Sequence, residues 1–218
     1  MRSPSLVVLA GALALAACSR TPAEPAPAAS TRGALEPQSP VVTAASVSRI
    51  VDAARCVKPT SDTPPPAAAP GPASGCPADP SAGSTLSTVV PVSFPEATTK
   101  GGPVKVDAEL ARSAAETERG LMYRTKMGED HAMLFRLEKH TDHTFWMRNT
   151  CIPLDMLFVE DDGLIVGIVE NVPTLNDEPR SVGCPSSWVV EVNAGWSRRH
   201  GVRSGQKLVF PAAASQGW

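Results

Sequence analysis

The densest group of chemically capable side chains in this 218-residue chain is Trp146, Arg148, Asn149, Thr150 and Asp155. Phe145 and Met147 alternate with Trp146 and Arg148, so a strand here would turn the first pair to a core and the second to the opposite face. Arg124 and Glu191 are candidates to join them. Guanidinium groups offer planar paired donors and an indole a flat stacking face, which together suit an anionic or sugar-like ligand. The same residues also have a structural reading. Asn149 and Thr150 would form a tight corner, Asp155 would accept backbone amides, and Arg124 or Arg148 would pair with Glu191. Two further readings remain: an enzyme acting on an envelope polymer, with Asp155 or Glu191 as acid or base, and a structural module of an envelope assembly.

Cys151 as a nucleophile would need a thiolate and a base such as His143 or His131, and no pattern ties these together. Copper(I) would suit His131, His140 and His143, or the methionine-rich run from Met127 to Met133 with Met122. Met133 alternates with Phe135 and Leu137, however, which makes it core, as Met122 is; the histidines are expected on solvated loops. No metal or cofactor is therefore expected. Glu160, Asp161 and Asp162 read as the solvated rim of a hairpin. Neither a phosphate-cradling glycine loop nor a Gly-x-Ser-x-Gly elbow occurs.

The elements that must position these residues begin at Val104. Val104, Val106, Ala108 and Leu110 alternate with polar residues, the period of a half-buried strand. Ser113 and Glu116 have capping-box spacing and open a helix expected to run to about Tyr123. Strands follow at Met133–Leu137, Phe145–Arg148, Leu154–Val159 and Leu164–Val169. The last two are joined by Asp162-Gly163 in a turn with positive φ at both residues. An irregular stretch from Pro173 to Ser187, a strand around Trp188–Val192, a helical turn at Trp196–His200 and a short strand at Lys207–Phe210 complete the order. The expected fold is α+β and mainly β: a small curved antiparallel sheet or barrel with two short helices.

Ahead of this domain the composition changes. Of the 22 prolines, 16 precede Pro103. Such a segment buries too little apolar surface to offset chain entropy, so 18–102 reads as a disordered Pro/Ala-rich tether, 103–213 as the domain and 214–218 as a tail. Residues 1–17 read as a signal peptide: Met1-Arg2 is a positive start, and Leu6–Leu15 is too short to span a bilayer. Leu15-Ala16-Ala17-Cys18 resembles a bacterial lipobox, which implies lipidation of Cys18 and a membrane as partner. By the same resemblance, Ser19 favours the periplasmic face of the outer membrane. Four cysteines remain, an even number in an oxidising compartment. Composition suggests Cys56 with Cys76 and Cys151 with Cys184, although four cysteines allow three pairings. The 103–213 segment has 13 basic and 16 acidic residues and no basic stripe, so no nucleic acid partner is expected. The expected partner is a small ligand or an envelope protein.

Five stretches carry a family likeness: Glu118-Arg119-Gly120-Leu121-Met122-Tyr123-Arg124, Met133-Leu134-Phe135, Phe145-Trp146-Met147-Arg148-Asn149-Thr150, Ile152-Pro153-Leu154-Asp155 and Val192-Asn193-Ala194-Gly195-Trp196. They resemble the domain-of-unknown-function family 192, across about Val104 to Phe210. The resemblance implies a compact β-rich domain, often exported, and implies no activity. Arg148 stands where lysine is commoner in that family. The Cys151 and Cys184 pair looks like a subgroup feature, and His140-Thr141-Asp142-His143 lies outside the family pattern.

Overall fold

The computed structural model describes residues 55–81, 86, 88–99 and 101–215. Six strands form one sheet: β1 (Val89–Thr99), β2 (Gly102–Ala111), β3 (His131–Asp142), β4 (Leu154–Val159), β5 (Ile165–Val172) and β6 (Pro185–Asn193). Short helices α1 (Ala114–Arg119) and α2 (Trp196–Arg199) follow β2 and β6, and a last turn, α3, spans Ala212–Ser215. The strand order is β1-β2-β3-β6-β4-β5. All neighbours are antiparallel except β2 and β3, which run parallel across the α1 connection.

The sheet curls until its two ends are laced together by the C-terminal segment. Ser93 on β1 exchanges two backbone hydrogen bonds with Val209, and Leu208 N donates to Gly163 O beside the start of β5. Open edges that would otherwise present unpaired amides are thereby partly covered. Gly163 has φ +84°, and a Cβ there would lie 2.2 Å from the Leu208 carbonyl oxygen. The residue must be glycine for both reasons.

Both faces of the central strands are buried. On the inner face, Val92, Phe94, Val106, Leu134, Val190 and Trp196 belong to one apolar cluster. On the outer face, Met133, Phe135, Leu154, Met156, Phe158 and Val189 belong to a second, completed by the loop residues Met147 and Val182. This explains why β4 is buried at every position and reads as a continuous apolar run.

Several expectations change. The tether assigned to 18–102 contributes β1, whose Val90, Val92 and Phe94 are core. Pro91 and Pro95 disguised it, yet proline is tolerated on an edge strand, which β1 is. The cysteines are also paired differently: Cys56 joins Cys184, and Cys76 joins Cys151. A self-closed clip within the proline-rich segment is replaced by a strap across the domain. Lys58 N donates to Val166 O and Ala73 N to Cys151 O, both at 2.8 Å, which brings each strap cysteine beside its distant partner. Phe145–Arg148 is not a strand; Phe145 makes one isolated bridge with Arg180. Helix α1 stops at Arg119 because Gly120 turns the chain at φ +45°. In the β4–β5 turn only Gly163 takes positive φ, not Asp162. Ala214, assigned to a tail, is buried in the inner cluster. Cys18 and the signal segment lie outside the described residues.

Candidate functional site

A cavity of about 580 Å³ opens on the outer face between α1, β3 and the 143–150 segment. The capping box fixes its first wall. Ser113 accepts from Glu116 N, and Glu116 accepts from the amides of Ser113 and Arg112. Those amides also hold the Glu116 carboxyl below its ordinary range. The turn at Gly120 then brings Leu121 and Met122 to the cavity. A Cβ on Gly120 would sit 3.3 Å from the Phe135 ring, so its absence permits this close approach. Phe135 and Phe145 meet edge to face at 5.3 Å, and Trp146 closes the mouth with 43 % of its surface exposed.

The base of the cavity carries one buried acid, Glu191. Its two register neighbours are Met133 on β3 and Met156 on β4, so the carboxyl has apolar side chains on both flanks. Glu191 is 4 % exposed. Among the described residues nothing donates a hydrogen bond to it or pairs with it. Burial alone pushes the group up to about 8, which leaves it protonated at neutral pH. A carboxyl that keeps its proton at pH 7 inside a cavity is a hydrogen-bond donor and a potential acid.

Of the residues singled out in the sequence, the structure places Trp146, Thr150 and Glu191 around the cavity. Arg148 lies behind Trp146, with its guanidinium 4.2 Å from the ring centroid and its charge paired with Asp177 at 3.2 Å. Asn149 makes the corner, at φ +55°, donating to the Tyr123 hydroxyl at 3.1 Å and accepting from Tyr123 N at 2.7 Å. Arg124 faces away and forms a bidentate pair with Glu109. Asp155 is fully buried and accepts from the amides of Asn171, Gly195 and Ser197. Its oxygens are committed to holding β5 and the start of α2. Neither arginine pairs with Glu191, contrary to that structural expectation. The nucleophile reading of Cys151 fails because its sulfur is bonded to Cys76. His140 contacts Glu160 at 2.6 Å and His143 contacts Lys139 O at 2.6 Å. Among the described residues no three metal-ligating side chains gather.

A family model covers residues 96–210, more than half of the chain, and its description is DUF192, an uncharacterized ACR. The chain belongs to the DUF192 family. Two solved structures are similar to the DUF192 chain in fold and in sequence. A Sinorhizobium meliloti 1021 protein provisionally described as a transcription regulator is 35 % identical, with a TM-score of 0.54, across 61 % of this chain and 99 % of that one. A protein of unknown function from Novosphingobium aromaticivorans DSM 12444 is 37 % identical, with a TM-score of 0.51, across 56 % of this chain and 84 % of that one. No curated protein matches the chain.

All residues around the cavity fall within the DUF192 match, whereas Cys56 and Cys76 fall outside it. The strap thus lies outside the DUF192 match. It reaches the cavity rim through Asp79, which pairs with Arg119 at 2.7 Å. Phe135, buried as its alternation implies, and Met122, expected in the core, both line the cavity wall. The alternation of β3 puts Phe135 on one face with Met133, but only the β3–β6 register shows that Glu191 shares that face.

Proposed function

We propose that this chain is an exported lipoprotein, anchored through Cys18, whose DUF192 domain captures a small ligand in the cavity beside Glu191. The observation that carries the binding reading is a buried carboxyl, without a partner among the described residues, in a cavity with largely apolar walls, a common form of small-molecule site. Export is supported by the lipobox-like Leu15-Ala16-Ala17-Cys18 and by two disulfides, which persist in oxidising compartments. The domain is mildly acidic, with 13 basic and 16 acidic residues in 103–213, which argues against a DNA-bound regulator's role for this chain. Mass spectrometry of protein purified from the envelope tests both parts. Acyl chains on Cys18 and a co-purifying small molecule, lost from Glu191→Gln, are expected. An unacylated chain refutes the anchor, and an empty protein that binds no small molecule refutes the capture.

A second reading rests on the same proton. Held at about 8, Glu191 is poised to act as a general acid on an envelope polymer. Turnover of cell-wall fragments by the wild-type protein, abolished in Glu191→Gln, would favour it over simple capture.

A further inference from the structure

Glu191 is a buried acid with no counter-ion among the described residues, although the same cavity is lined by several basic side chains. Two of those cations are held elsewhere. Arg119 is committed to Asp79. Arg136 lies 4.4 Å over the Trp188 ring and approaches Asp161 at 3.9 Å. Lys139, Arg112 and His143 also border the cavity, as do Glu118 and Glu138. Burial is what pushes the Glu191 carboxyl up. The protein therefore supplies a carboxyl and withholds its partner. What surrounds the carboxyl is aromatic: Phe135, Phe145 and Trp146 line the same space. The faces of such rings carry negative charge density and attract desolvated cations.

We propose that the ligand enters as an organic cation, an amine or quaternary ammonium, whose positive group pairs with the Glu191 carboxylate while its apolar body lies against Phe135, Phe145 and Trp146. This rests on the reading of the cavity as a ligand site and names the chemistry that site selects. The binding step balances simply. Protonated Glu191 releases its proton to solvent, and the ligand's fixed positive charge replaces it beside the carboxylate. A neutral amine would instead take the proton directly and bind as the ammonium.

The test is calorimetric titration of the oxidised full chain with four probes of similar shape: benzyltrimethylammonium, benzylamine, benzyl alcohol and benzoate. The two cations are expected to bind at least tenfold more tightly than the alcohol or benzoate. With Glu191 at about 8, roughly nine-tenths of it is protonated at pH 7. Benzyltrimethylammonium, which cannot titrate, should therefore release about 0.9 proton at pH 7 and bind roughly tenfold more tightly at pH 9. Glu191→Gln should lose both the proton release and most of the affinity. Trp146→Ala, altered at an exposed position, should weaken both cations severalfold while remaining folded. Equal or tighter binding of benzyl alcohol or benzoate overturns the cation assignment and leaves the cavity as a site of other specificity. Failure of all four probes, with no small molecule found in the protein, overturns the site itself.

Discussion

Replacing Glu191 with glutamine should flatten the pH dependence of stability. In the unfolded chain the carboxyl titrates at its ordinary 4.5, and in the fold at about 8. Between those values the folded state holds a proton that the unfolded state has released. Stability contributed by the neutral acid is complete below pH 4.5 and is lost as pH rises through about 8. At about 1.4 kcal/mol per unit, the window from pH 5.5 to 9 amounts to about 3 kcal/mol. Carboxyls held low act in the opposite sense and over a different range. Asp162, gripped by Arg55 and Lys207, lies far below its ordinary 3.8, and Asp79 and Glu116 are also lowered. Their contributions are present above their unfolded values and lost only as pH falls through the acid range, so they add no slope between pH 5.5 and 9. Urea unfolding of the disulfide-intact protein at pH 5.5, 7 and 9 measures the effect directly. Wild type should lose about 3 kcal/mol across that range relative to Glu191→Gln. Parallel curves for the two proteins would show that Glu191 ionises normally and would refute the burial argument.

Three further outcomes follow from the fold. Non-reducing peptide mapping should recover Cys56 linked to Cys184 and Cys76 linked to Cys151; replacing Cys76 and Cys151 together by serine should cost about 4 kcal/mol by chain entropy, read as a lower urea midpoint. Asp155→Ala strands three amides and should destabilise by about 3 kcal/mol or more in the same assay, with any loss of binding tracking loss of fold. Gly163→Ala collides with the Leu208 carbonyl at a positive φ and should cost more than about 1 kcal/mol, with faster amide exchange around residues 206–209.

Local chemistry was legible in the sequence wherever one segment determined its own structure. Ser113 and Glu116 announced the start of α1, the Val104–Leu110 alternation announced β2, and the apolar run at Leu154 announced β4. What could not be read depended on distant partners. Proline content argued against a strand at Val89–Thr99, because edge position, which excuses Pro91, is a property of the sheet. The disulfides followed the path of the strap across the domain and not proximity in sequence. At the site, Trp146, Thr150 and Glu191 were recognisable as chemically capable residues. That Arg124, Arg148 and Asp155 stay out of the cavity lining was not, because those three are engaged by Glu109, Asp177 and three backbone amides that lie up to 42 residues away. Among the described residues Glu191 lacks a partner because methionines flank it on β3 and β4, a matter of strand register.

Ligand capture beside Glu191 is tested most directly by a crystallographic screen of small fragments against the oxidised protein. Bound fragments are expected to cluster between Phe135, Trp146 and Glu191, with a polar atom of the fragment at hydrogen-bond distance from the Glu191 carboxyl. Fragments distributed over other surfaces, with that cavity left to solvent, would contradict it.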